Sequence, residues 1–198
     1  MEVNKLNLKG LSLTELQKKV ESIGEKKFRA GQIYSWMYEK GITEFSAMTN
    51  LSKSQQEHFD THFYIGKNSP DHEAVSIDGT AKFLWKLEDG NTIESVLIPD
   101  DARLTACVSS QVGCALGCVF CATGKMGLTR NLHAGEIYDQ IYDMNKWALA
   151  NRGQKITNIV FAAALVISGR YEVDLPGYAR GGGLAAGAGG CFYSVTIL

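Results

Sequence analysis

Arg103–Gly127 reads RLTACVSSQVGCALGCVFCATGKMG. Its first part, Leu104–Ser109, is a strand candidate, and it runs directly into a glycine-bearing loop that holds Cys114, Cys118 and Cys121. Beyond the loop, Ile137, Ile141, Met144 and Ala148 recur at helical spacing within Glu136–Ala150. Lys155–Ile167 (KITNIVFAAALVI) then reads as a buried strand. Strand, cysteine loop, helix and strand make one βαβ unit of a parallel sheet.

Upstream, Lys82–Leu87 (KFLWKL) and Thr92–Ile98 (TIESVLI) flank Glu88–Asn91, whose Asp-Gly step signals a hairpin. The first seventy residues are helical in pattern. Ser12 with Glu15 forms a capping box, Leu13, Leu16, Val20 and Ile23 share one helical face, and Gly24 stops it. A second helix is expected over about Arg29–Lys40, burying Ile33, Trp36 and Met37, and a third, weaker one over about Lys53–Phe63. Two short helices with an intervening glycine also suit an accessory RNA-binding module, although core packing accounts for the same pattern.

Downstream of Phe161 the character changes. Residues 162–198 hold 8 glycines and 7 alanines, and Gly181–Gly190 (GGGLAAGAGG) is low in complexity. Four segments follow: a helical accessory domain at 1–70, a β-hairpin extension at 71–101, the start of an α/β core at 102–161, and a Gly/Ala-rich tail at 162–198.

The chain has 198 residues, 45% of them hydrophobic and 21% charged, which is ordinary for a globular protein and too apolar for a disordered one. Net charge is −1, but it is unevenly spread. Residues 1–70 carry 10 basic and 8 acidic groups, 71–101 carry 2 and 8, and 102–161 carry 6 and 3. A near-neutral total therefore does not exclude RNA. Met1–Gly10 has no apolar signal core, and no run approaches the roughly 18 apolar residues of a membrane span. A cytoplasmic protein with reduced cysteines and no membrane partner is the expectation.

Four of the five cysteines, Cys107, Cys114, Cys118 and Cys121, lie close together, while Cys191 stands apart. Cys-x3-Cys-x2-Cys supplies three thiolates for one metal centre. Structural zinc wants four ligands, so Cys107, His133 or a distant group would have to complete it. A 4Fe–4S cluster on three cysteines leaves one iron open to an external ligand. Lys125 and Arg130, beside the loop, suit either phosphate contacts or a solvated surface.

The same three-cysteine spacing, with Phe120 before the third cysteine, resembles the radical S-adenosylmethionine enzymes. Arg103–Gly127 with Arg130-Asn131-Leu132, Glu94–Pro99 (ESVLIP) and Gly24–Trp36 (GEKKFRAGQIYSW) are similar to the RlmN and Cfr family of RNA methyltransferases over about residues 5–161. The resemblance implies a helical accessory domain followed by the first βα units of a radical S-adenosylmethionine partial (β/α)6 barrel, truncated. It implies methylation of C2 of an adenosine in 23S rRNA, and in some tRNAs. A Cfr-type enzyme acting on C8 and a non-catalytic, metal-stabilised RNA-binding module are the alternatives. The implied cofactors are a 4Fe–4S cluster on Cys114, Cys118 and Cys121, and two molecules of S-adenosylmethionine, one methylating a cysteine near the C-terminus and one supplying a radical. Cys107 matches the resolving cysteine and Glu94 the proton acceptor of that family. The implied partners are 23S rRNA, tRNA and an electron donor such as flavodoxin, with a monomeric enzyme.

The resemblance ends at Phe161, where Ala162–Gly169 replaces an expected Gly-Glu-Pro segment. Cys191, in Gly-Gly-Cys-Phe-Tyr, does not match the methyl-carrying cysteine. The expectations are a family sequence interrupted near this point, little or no catalysis by this chain, and a last strand with an open apolar edge.

Overall fold

The computed structural model describes residues 5–100, 103–115, 122–162, 185–186 and 192–196. The chain divides between Lys67 and Asn68 into two compact units. The first contains β1 (Leu6–Asn7), α1 (Leu13–Ser22), α2 (Phe28–Tyr38), a 3-10 turn at Phe45–Ala47, α3 (Lys53–His62) and β2 (Phe63–Tyr64). The Ser12 hydroxyl accepts from the Glu15 N–H, and the Glu15 carboxylate accepts from the Ser12 N–H at 2.9 Å, so two orphan donors of α1 are satisfied reciprocally. Gly24, at φ +84, lets the chain turn left-handed past the helix end. Ser52 and Gln55 repeat the capping box on α3, which explains a helix whose apolar pattern is weak. Leu16, Val20, Ile33, Met37 and Phe59 form a fully buried core, and β1 closes the unit by pairing parallel with β2.

Trp36 departs from expectation. The buried stripe of α2 is Ala30, Ile33 and Met37, with Tyr38 beside it, and Trp36 lies off it, half-buried. Its indole N–H needs a partner and donates to Asn50 Oδ1 at 2.7 Å, while Lys40 Nζ sits 3.5 Å from the ring centroid.

The second unit is built on a sheet. In chain order come β3 (Ser69–Val75), β4 (Ala81–Lys86), β5 (Thr92–Asp100), β6 (Arg103–Ser109), β7 (Gln111–Gly113), α4 (Ala122–Lys125), β8 (Leu128–Asn131), α5 (Ala134–Arg152), β9 (Asn158–Ala162), β10 (Ala185–Ala186) and β11 (Phe192–Thr196). Seven of these strands form one sheet in the order β10-β11-β9-β6-β5-β4-β3. The β4–β5 hairpin turns at Gly90, φ +83, where the Asp-Gly step lies. Strands β6 and β9 pair in parallel, Cys107 opposite Val160, with the cysteine loop and α5 between them in sequence. The expected βαβ unit is therefore present. The hairpin joins the same sheet through β5 and β6, Val96 opposite Cys107.

Helix α5 covers one face of the sheet. Phe83, Trp85, Leu97, Leu104, Ala106 and Val108 point to that buried side, and Trp147 of α5 meets Phe83 edge-on at 5.5 Å. Alternation sends Lys82, Glu94, Ile98 and Cys107 to the opposite face, which is half-exposed.

The outer edge of β9 is not open. Strand β11 pairs with it antiparallel, Phe192 opposite Ala162 through Thr196 opposite Asn158. This corrects the expectation of an unpaired apolar edge, since backbone groups at an edge are satisfied by whatever strand reaches them. A continuing barrel would place a parallel strand at that edge. The part of the expected last strand beyond Ala162 lies outside the described residues, and no helix among the described residues is long and apolar enough to cross a membrane.

Candidate functional site

Strand β6 delivers the chain to the cysteine loop, and the loop is tied where it leaves and returns. The Cys114 N–H donates to the Gly127 carbonyl at 2.9 Å, and the Leu132 N–H to the Ser110 carbonyl at 2.9 Å. Between these ties β7 and β8 form a short antiparallel ribbon, Val112 opposite Arg130. Gly113 takes φ +76, and a Cβ there would collide with the Gly127 carbonyl, so only glycine permits this approach. Cys114, 8% exposed, is buried directly after the ribbon. Cys118 and Cys121 lie outside the described residues, as does Cys191, although the first two stand in sequence between the ties. A buried thiol on a backbone tied at its root suits a soft-metal ligand better than a surface redox cysteine.

Cys107 and Glu94 are brought onto one face. Cys107 lies mid-β6, half-buried, and burial pushes its thiol pKa up, so the neutral thiol is the form held at neutral pH. Glu94 is two residues along β5 from Val96, the partner of Cys107, which makes it a diagonal neighbour on the same side. Its carboxylate is paired with Lys82 Nζ at 2.6 Å, both side chains about half exposed at 55% and 52%. Its backbone carbonyl accepts from the Ser109 hydroxyl at 2.7 Å. The face thus presents the Cys107 thiol and, diagonally across from it, the Glu94 carboxylate, opposite the face that α5 covers.

Arg130 is held in ion pairs within the protein rather than lying free on a solvated loop face. Its Nε donates to Asp89 Oδ2 at 2.6 Å, and its two terminal nitrogens donate to the Glu136 carboxylate at 2.8 and 2.7 Å. The guanidinium joins the hairpin turn, β8 and the first turn of α5, and two carboxylates around it raise its own pKa. Lys125, by contrast, is exposed.

Sequence reasoning passed over Gln140. It is fully buried, and its side-chain amide bonds both the N–H and the C=O of Ser109 at 2.9 and 3.0 Å. The signal was a polar residue within the apolar stripe of Ile137, Ile141 and Met144, because a buried amide requires partners.

The first sixty or so residues, 6–65, match the family described as the ribosomal RNA large subunit methyltransferase N-terminal domain. A probable dual-specificity RNA methyltransferase RlmN from Thermotoga neapolitana is 49% identical over 156 residues, which is 78% of this chain and 44% of that protein. The RlmN dual-specificity RNA methyltransferase of Geotalea uraniireducens is 43% identical over 159 residues, 80% of this chain and 45% of that protein. The crystal structure of a radical SAM methyltransferase from Sphaerobacter thermophilus superposes with a TM-score of 0.67 at 41% identity, covering 78% of this chain and 45% of that one. The chain spans less than half the length of these relatives. Over the four-fifths that matches, it belongs to the RlmN family of radical SAM methyltransferases.

Proposed function

We propose that this chain carries the accessory unit and the cluster-holding βαβ unit of an RNA methyltransferase that methylates C2 of an adenosine in 23S rRNA and in certain tRNAs. Supporting this are relatives named as dual-specificity RNA methyltransferases, 43–49% identical over the matched part. The observation that carries the site is the shared sheet face: Cys107 and Glu94 sit diagonally on β6 and β5, and β6 leads straight to Cys114.

In this reading Cys114, Cys118 and Cys121 would hold a 4Fe–4S cluster, with S-adenosylmethionine as the second cofactor. When bound, the cluster supplies one-electron chemistry towards that cofactor. The chain's own residues do the rest of what falls to this half. The ribbon β7–β8 and the glycine pair hold the loop root. Glu94 accepts a proton, with Lys82 Nζ, 2.6 Å away, orienting its carboxylate. Cys107 keeps its proton through burial, gives it up to a neighbouring base, and as the thiolate would attack the sulfur of a protein–RNA thioether. The sulfur–sulfur bond forms as the carbon–sulfur bond breaks, and its electron pair leaves on the RNA carbon, which takes up a proton. Flavodoxin or a similar donor supplies the electron, and the enzyme works as a cytoplasmic monomer.

Anaerobic reconstitution with iron and sulfide tests the reading, with absorption and electron paramagnetic resonance spectra taken with and without S-adenosylmethionine. A cluster in the wild type, perturbed by S-adenosylmethionine and absent from a Cys114→Ala, Cys118→Ala, Cys121→Ala variant, is the expected outcome. Zinc in place of iron, or equal iron in both proteins, would overturn it in favour of the metal-stabilised module.

A further inference from the structure

Helix α5 carries two polar side chains one turn apart, and the proposed reaction uses neither. Gln140 has every hydrogen-bonding position of its amide filled. Its Oε1 accepts from the Ser109 N–H at 2.9 Å and the Ser95 hydroxyl at 2.7 Å. Its Nε2 donates to the carbonyls of Ser109 at 3.0 Å and Glu136 at 3.2 Å. Ser109 is the last residue of β6, so the side chain stands in for a neighbouring strand at the point where the sheet gives way to the loop. One turn earlier, Glu136 takes the bidentate fork of Arg130, which belongs to β8. The segment entering the cysteine loop and the segment leaving it are thereby fastened to successive turns of one helix.

We infer that Glu136 and Gln140 are positioning residues that brace both roots of the Cys114–Cys121 loop before any cluster is bound. The inference rests on the cluster-holding role proposed above, but the brace is a property of the unloaded chain. Without Gln140, the Ser109 N–H and C=O and the Ser95 hydroxyl lose partners in a buried place, which forces the strand end towards water. The ties of Cys114 to Gly127 and of Leu132 to Ser110 then open more often, and the three thiols meet iron on a loop that is no longer held in advance.

Amide hydrogen exchange on the unloaded full chain reads the brace directly, comparing wild type with Gln140→Leu and Arg130→Lys. Leucine keeps the volume and removes the hydrogen bonds, and lysine keeps the charge and removes the fork. The expected result is exchange at the Cys114 and Leu132 amides at least tenfold faster in both variants, with the amides of β4 at wild-type rates. After reconstitution both variants should hold less iron and give a broadened paramagnetic signal. Unchanged exchange at Cys114 and Leu132 in both variants overturns the inference. So does acceleration spread evenly across the sheet, since Gln140 is then only a core residue. Should Gln140→Leu fail to fold, Arg130→Lys decides by the same two amides. A wild type that takes up no iron and sulfide, yet shows the expected exchange pattern, sinks the proposed function and leaves the brace standing.

Discussion

The Arg130 guanidinium donates to Asp89 at 2.6 Å and holds that carboxyl at about 2, against an ordinary value of 3.8. A carboxyl depressed on folding adds stability that is complete above its unfolded range and fades as pH falls through the folded value. For Asp89 that window runs from about pH 4 down to about pH 2. The side chain is 37% exposed, so solvent screening keeps the effect small. Asp89→Asn should therefore be slightly less stable than wild type at pH 6, with the two denaturation midpoints converging as pH approaches 2. Parallel midpoints across that range would show that the pair does not couple to folding. The role of Asp89 was invisible in the sequence. Its Asp-Gly step announced a turn, but the partner is 41 residues away, a pairing that no local pattern encodes. Cys107 and Glu94 were legible only through resemblance. That they share a sheet face follows from alternation once the β5–β6 register is fixed, and the register comes from the fold.

Capping chemistry was the most readable feature among the elements. Ser12 with Glu15 marks α1 in sequence, and Ser52 with Gln55 marks α3 by the same rule. Replacing either serine by alanine should cost about 1 kcal/mol. That corresponds to roughly fivefold faster exchange at the amide each serine hydroxyl caps, Glu15 in α1 and Gln55 in α3. No change at Glu15 in Ser12→Ala, or at Gln55 in Ser52→Ala, would mean that tertiary packing alone holds the helix start. Strand β3 escaped because Ser69–Val75 is exposed along its whole length, so no alternation betrays it. The β7–β8 ribbon escaped because its strands are three and four residues long and are set by the Gly113–Gly127 approach rather than by hydrophobic pattern. Trp36 was misjudged because an aromatic in a helix was counted as core without asking where its N–H would go.

At the scale of the whole molecule, the division at Lys67/Asn68 carries a consequence for folding. Leu8, Leu16, Val20, Ile33, Met37, Met48 and Phe59 are fully buried and all lie before the division. Strand β1 pairs with β2 at the far end of the same segment, so the first unit closes on itself. The Asn7 side chain strengthens that closure by accepting from the Gly66 N–H at 2.9 Å. A core of this size gives a unit of fewer than 70 residues only about 3–5 kcal/mol. Residues 1–67 expressed alone should therefore fold, with helical circular dichroism and a single cooperative but shallow denaturation transition. Trp36 is the one tryptophan of that segment and reports it cleanly, since Trp85 and Trp147 belong to the second unit. Its fluorescence should follow the same transition as the dichroism, because the Asn50 bond and the Lys40 contact both depend on the packed helices. A featureless titration, or two probes that disagree, would mean that the first unit needs the second to fold. The accessory segment would then be no independent module, and a role in RNA contact would have to be sought in the intact chain alone.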